Sequence, residues 1–371
     1  MVESSNLKYI RIYAHMLIRQ TGKVVYIQRD LDVVQEIRVN IDGIEACAVN
    51  YPELTGRVVV GDDVLLNTTA VELRLGTGGV HFVVCNLSNP SQQVEPQPGH
   101  IMKLRYTPMQ EAVLSVEEDQ SPNQEDIRNF ESLDGMPVVC CELHSQIAPA
   151  AAAIKALTDY RAKIAYVMTD GAALPLSFSR LVAELKDKGL LDSTITCGQA
   201  FGGDIEAINV YTALIAAKQV CGADVAIVCQ GPGNAGTGSK YGFSGIQQGE
   251  ALNACSILGG RAIAVPRISF ADPRERHRGI SHHTLTVLEK IALKSVLVAL
   301  PELPAEKARV IERQISATRH DIRVVNAEPG LAELECKAIN VRTMGRTVDQ
   351  DREFFLSASA AGVVAAEQLS S

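Results

Sequence analysis

The chain of 371 residues has no tryptophan, and aromatic residues make up only 5% of it. That scarcity argues against stacking platforms for single-stranded nucleic acid or for sugars. No apolar run approaches the roughly 18 residues that a membrane span requires. The first residues carry Lys8, Arg11 and Arg19 and offer no clean apolar stretch ahead of a cleavage site. Both absences lead us to expect a cytoplasmic protein with no membrane partner. Positive charge is in deficit, 35 Lys and Arg against 43 Asp and Glu, so nucleic acid is not expected as a partner. No CxxC pair occurs among the nine cysteines, which excludes the usual structural zinc spacing. Their odd number and apolar surroundings read as reduced core thiols. We find no internal repeat and no low-complexity tract.

What is present suggests two domains, because 371 residues exceed one small core. From Gly22 to Leu87, short strand-like runs alternate with Asp42-Gly43, Pro52, Gly61-Asp62 and the turn 76–79. Strands this short and evenly spaced suggest a small barrel. Residues 88–99 hold Pro90, Pro96 and Pro98 and read as a loop. We expect residues 1–110 to form a small β-barrel domain and the polar stretch 111–134 to be a linker. From residue 135 strands alternate with helices, the rhythm of a doubly wound, mostly parallel α/β sheet. We therefore expect residues 135–371 to form an α/β domain that carries the functional site.

Five strands of this second domain end in polar or glycine-rich clusters. MPVVCC runs into Glu142 and His144; KIAYVM into Asp170; STITC into Gly202, Gly203 and Asp204; DVAIVC into residues 230–238; RAIAV into residues 267–283. In an open α/β sheet the carboxyl ends of the strands line the ligand crevice. Glu142 and His144 lie two residues apart and would share a face if the strand continued. Ser145 reads equally as a helix cap, and Asp170 equally as a turn former before Gly171. Asp204 fits the N-cap of the helix that follows, with Gly202 and Gly203 permitting a ligand to approach the helix start.

Gly231, Gly233 and Gly236 spell GxGxxG after a strand, but no helix follows directly and no acidic residue ends the next strand. The dinucleotide reading therefore falls. Ser239-Lys240 inverts the order that a phosphate loop needs. What remains is an anion nest of backbone N–H groups over Gly231, Gly233, Asn234, Gly236, Thr237 and Gly238, assisted by Lys240, against the plainer reading of a loop or lid. Arg267, Arg274, Arg276 and Arg278 then concentrate positive charge beside His277, His282 and His283. Arginine forks bind phosphate and carboxylate, although Asp272 and Glu275 could absorb them in local ion pairs. Ser281 reads as an N-cap that places His282 and His283 in a first helical turn, where the helix end keeps imidazole neutral. Adjacent helical positions point about 100° apart, so one of the two should face the crevice. Arg346 could reach the site, but with Asp349 and Asp351 it reads more plainly as capping and surface pairing.

The runs GDDVLLNTTAVELRLGTGG, GHIMKLRYTPMQ, GMPVVCCELHSQ, YVMTDGAALP, CGQAFGGDIEAINVYTAL, QGPGNAGTG and RISFADPRERHRGISHHTL resemble those of an uncharacterised bacterial family, one of the domain-of-unknown-function families. The resemblance covers nearly the whole chain and implies no activity and no catalytic residues. From the residues themselves we expect an enzyme, a hydrolase or group transferase, acting on an anionic and phosphorylated or nucleotide-like small molecule. Glu142, His144, Asp170, His282 and His283 would do acid/base work or ligate a divalent metal. The four arginines, Lys240, Gly202, Gly203 and the glycine loop would hold the anion. The alternative is a non-catalytic sensor or scaffold with the same pocket; a nicotinamide-linked enzyme is a third and weaker reading. The apolar barrel strands leave room for a homodimer.

Overall fold

A computed structural model describes residues 17–76, 78–91 and 99–369. Lys8, Arg11, Thr77 and most of the proline loop, Pro96 and Pro98 included, lie outside the described residues. The chain divides into two compact units between Glu95 and Pro96.

The first unit is a closed five-stranded barrel: β1 (Arg19–Asp30), β2 (Gln35–Ile41), β3 (Ile44–Asn50), β4 (Asp63–Asn67) and β5 (His81–Asn86), in spatial order β1-β2-β3-β5-β4. Short helices α1 (Pro52–Thr55) and α2 (Thr69–Glu72) lie in the connections. Burial alternates strictly along β2, which puts Ile37, Val39 and Ile41 inside with Val24, Val64, Leu66 and Val83. Asp42 and Gly43 both have positive φ, the two-residue hairpin geometry that an Asp-Gly pair favours. Register shifts along β1 bend its twelve residues around the closure.

The second unit begins with a hairpin, β6 (Ile101–Lys103) and β7 (Glu111–Val113), and a short helix α3 (Gln124–Arg128). Residues 101–134, expected as the end of the barrel and a linker, count with the α/β unit. Fully buried Lys103 donates to the Ala207 carbonyl (3.0 Å) and pairs with Glu206. Val116 N donates to Glu206 O (2.8 Å). These contacts cover the outer edge strand of the main sheet, as an otherwise open edge requires.

That sheet has eight strands, all parallel. They are β8 (Pro137–Cys140), β9 (Ile164–Thr169), β10 (Ser193–Cys197), β11 (Ile205–Ala207), β12 (Val225–Gln230), β13 (Arg261–Ala264), β16 (Leu297–Pro301) and β17 (Asp321–Val325). Their order is β11-β10-β9-β12-β8-β13-β16-β17. A minor ribbon, β14 (Ile268–Ser269) with β15 (Gly279–Ile280), follows β13. The central strands β8, β9 and β12 are buried at every residue, as sheets covered on both faces demand. One face packs α4 (Ile147–Leu157), α5 (Arg180–Asp187), α10 (Glu328–Cys336) and α11 (Arg352–Leu369). The other packs α6 (Val210–Gln219), α7 (Gln247–Ile257), α8 (His282–Thr286) with its π-helical continuation (Val287–Ile291), and α9 (Ala305–Ile315). The expected barrel followed by a doubly wound α/β domain is the observed architecture. All nine cysteines are free thiols. No helix among the described residues is long and apolar enough to cross a membrane.

One expected helix start is corrected. Residues 205–207 form β11, and α6 begins at Val210, where Asn209 Oδ1 accepts from Tyr211 N (2.9 Å) and Thr212 N (3.2 Å). Asp204 is therefore not a cap. It accepts from Thr194 N (2.8 Å) and pairs with Lys186. Gly202 and Gly203 accordingly belong to a strand connection rather than a helix start. Their N–H groups donate to Glu206 Oε1 (2.7 Å) and Thr196 Oγ1 (3.1 Å), which leaves neither for a ligand.

The alanine run of α4 meets the small residues of α11 so closely that a Cβ on Gly362 would collide with the Ala150 carbonyl. Gly362→Ala should therefore lower unfolding stability by about 1–3 kcal/mol. Urea denaturation measures this, and unchanged stability would show that the two helices do not approach as described.

Candidate functional site

The order β9-β12-β8-β13 places successive strands whose following helices lie on opposite faces: α5, α7, α4 and α8. Loops leaving neighbouring strands in opposite directions open a crevice at their carboxyl ends. Four of the expected residues gather there with the glycine loop after β12: Glu142 after β8, and Arg267, His282 and His283 after β13.

Glu142 is the centre. It is completely buried, and its Oε1 lies 2.8 Å from His283 Nδ1 and 3.7 Å from the Arg267 guanidinium. Its Oε2 accepts from Thr284 Oγ1 (3.2 Å). A buried carboxylate is tolerable only when its lone pairs are so occupied. The chain turns sharply after β8, with Glu142 N and Leu143 N both donating to Gln146 Oε1 (2.9 Å each). The strand has ended, so Glu142 and His144 do not share a face as expected. His144 Nε2 instead meets Ser179 Oγ (2.6 Å), the cap of α5, and its Nδ1 lies 3.3 Å from Tyr166 Oη. Burial lowers the His144 pKa to about 4.

His283 sits in the first turn of α8, whose cap Ser281 accepts from His283 N (3.2 Å). Its ring stacks on Phe243 at 3.9 Å and 3°. The glycine loop lies over this pair. A Cβ on Gly236 would come to 3.0 Å from His283 Cε1, so a side chain there would have to push the imidazole aside by a few tenths of an ångström. The same loop is closed by its own polar groups. Asn234 Oδ1 accepts from Gln230 Nε2 (2.8 Å), Ser244 Oγ (2.9 Å) and Gly245 N (3.0 Å). Thr237 Oγ1 donates to Gly242 O (2.9 Å). A Cβ on Gly231 would collide with Ala173 O, Gly233 has φ 108°, and Gly238 and Lys240 are exposed. Thr237 and Asn234 thus serve the loop itself, whose Gly236 lies against His283.

His277 and His282 complete a cluster, with ring centroids 5.0 Å (277–282), 5.0 Å (277–283) and 4.4 Å (282–283) apart. Both members of the adjacent pair therefore turn inward, not one. Nε2 of His282 and Nε2 of His283 are buried without a hydrogen-bond partner. His277 Nδ1 lies 2.8 Å from Ser281 Oγ. Burial first, then the charges of Arg267 and Arg274, lower the His277 pKa to about 3. Burial and the neighbouring His283 lower that of His282.

The arginines divide. Arg267 is 3% exposed and pairs with Asp272 (3.2 Å), which Arg274 also grips through Nε (2.9 Å) and Nη2 (2.7 Å). Those Arg274 hydrogen bonds, above all, hold the Asp272 carboxyl far below the usual carboxylate range. Arg346 reaches the same network, 3.7 Å from Asp272 and 2.9 Å from buried Asp351, which accepts from Ser269 Oγ (2.8 Å). Three carboxylates (Glu142, Asp272, Asp351) thus face three guanidinium groups (Arg267, Arg274, Arg346). Arg267 and Arg274 are absorbed in ion pairs, while Arg276 and Arg278 are exposed, the latter over the Phe270 ring. Asp170 is drawn elsewhere, accepting from Gln199 N (2.9 Å) and Gln247 Nε2 (3.3 Å) and so tying the ends of β9 and β10.

Thr284 and Phe243 belong to the site without having been singled out for it, and His277, noted only for its charge, joins them. His277 carried a signal in its spacing from Ser281. Asp351, read as surface pairing, is instead buried against Arg346.

His144 is neutral when folded and titrates near 6.5 when unfolded, so its contribution is complete above pH 6.5 and is lost as pH falls towards 4. Between pH 7 and 5 that amounts to at most about 2 kcal/mol. His144→Gln should flatten the pH dependence of urea stability by that amount. Equal slopes for both proteins would contradict the neutral, buried placement.

A comparison with curated proteins gives no match. A family model does match, over residues 47–362, and so spans part of the barrel and nearly all of the α/β unit with every residue of the crevice. The chain belongs to the family described as a protein of unknown function (DUF3866).

Proposed function

We propose that the chain is an enzyme, a hydrolase or group transferase, that uses the Glu142–His283 pair to activate a nucleophile against an anionic, phosphorylated or nucleotide-like small molecule. One observation carries this reading: a wholly buried carboxylate bonded to His283 Nδ1 while Nε2 has no partner. A carboxylate only accepts, so Nδ1 carries the proton and the Nε2 lone pair is left for chemistry. Thr284 and Arg267 fix the carboxylate, and the Phe243 ring fixes the imidazole plane. The covering loop keeps bulk water off the pair, and its displacement would admit substrate.

Anion recognition rests on fewer groups than the count of arginines suggests. Arg276, whose charge reaches His282, and Lys240 on the covering loop are exposed at the rim. Arg267 and Arg274 position Asp272 instead. That internal neutralisation, with the separation of His144 and Asp170 from Glu142, favours the second reading, a sensor or scaffold that binds an anion without turning it over. We place either activity in the cytoplasm.

Turnover of a panel of nitrophenyl phosphate mono- and diesters and carboxylic esters separates the two. Loss of the pair in Glu142→Gln or His283→Asn should lower kcat about 100- to 10,000-fold on whichever substrate is cleaved. Turnover unchanged in both variants would overturn the assignment. A rise in Tm with an anion, without turnover of any member, would favour the sensor.

A further inference from the structure

We propose that His277, His282 and His283 form a mononuclear site for a divalent transition metal of the zinc class, with Glu142 as the group that orients one ligand from behind. The site deepens the proposed function, since it rests on that reading for its use, and it specifies how the nucleophile would be activated. One nitrogen from each histidine lies within 4.8 Å of the others. A tetrahedral ion with nitrogen ligands at about 2.0–2.1 Å needs roughly 3.3 Å between them, a gap that small side-chain rotations close.

Two independent features favour an ion over a packed histidine cluster. Two adjacent imidazoles bury Nε2 atoms that have no protein partner, an arrangement that native interiors avoid unless something else occupies it. Two rings are held by their other nitrogen: His283 Nδ1 by Glu142 (2.8 Å) and His277 Nδ1 by Ser281 Oγ (2.8 Å). A ligand imidazole whose second nitrogen is bound to a carboxylate or hydroxyl is the usual outer support of a metal site. Three imidazoles and no thiolate suit zinc, cobalt or iron rather than magnesium or calcium. An ion held by three protein ligands keeps an open position and would supply acidification of a water there.

Cobalt(II) titration of the chelator-treated full chain tests this. The expected result is visible d–d absorption that saturates at one equivalent per chain, with no thiolate charge-transfer band. His277→Asn and His282→Asn should each weaken binding about 100-fold or more, and Glu142→Gln about 10- to 100-fold. His100→Gln and Cys336→Ser, at exposed positions outside the cluster, should bind as the wild type does. Retained native circular dichroism certifies the variants, and the wild-type spectrum stands without them. Absence of saturable absorption, a thiolate band, or binding indifferent to His277 and His282 would overturn the metal site. The two proposals fail separately. Turnover lost in His283→Asn but indifferent to chelator and to His277→Asn would leave His283 as a proton acceptor with no metal. Stoichiometric metal without any turnover would keep the site and remove the hydrolase.

Discussion

A buried carboxylate organises this crevice. Glu142 has no access to water, so its two oxygens must be satisfied by protein, and the partners come from distant parts of the chain: His283, Thr284 and Arg267. Removing one partner would strand a charge in a low dielectric at a cost of about 3–5 kcal/mol. The end of β8, the exit of β13 and the first turn of α8 are therefore locked to each other. The arginine network continues that lock outward through Asp272 to Arg346 and the start of α11.

This explains why a motif dense in arginine is not simply an anion clamp. Each buried guanidinium needs a carboxylate, and Asp272 serves Arg267 and Arg274 together. What the network leaves unspent is imidazole nitrogen. The histidines lie where the sheet topology opens a crevice, beneath a loop whose glycine at position 236 allows the backbone to rest on His283. Guanidinium groups and carboxylates thus hold the shape, while two imidazoles keep buried Nε2 atoms without a protein partner.

Much of the fold was legible because period and punctuation agreed. The alternating burial of β2 and the continuous burial of β8, β9 and β12 follow directly from their side-chain patterns. The meeting of Glu142, Arg267, His282 and His283 was legible for the same reason, since strand ends are marked by sudden polarity. Errors arose where a rule of regular structure was carried past the end of its element. Glu142 and His144 diverge because Gln146 pulls the backbone into a turn. Asp204 fails as a cap because β11 intervenes before α6. Asp170 took the turn-forming role that its place before Gly171 equally allowed, while Gly202 and Gly203 joined a strand connection. The approach of Asp351 and Arg346 depends on α11 returning across the sheet, a tertiary fact invisible at the level of motifs.

The central claim is that Glu142 holds His283 with its proton on Nδ1 and a bare Nε2. Nitrogen-15 and proton NMR of the histidine rings at neutral pH reads this directly. The account predicts a His283 ring protonated at Nδ1, with a low-field proton resonance that disappears in Glu142→Gln. A His283 ring protonated at Nε2, or a resonance indifferent to the loss of the carboxylate, would contradict it.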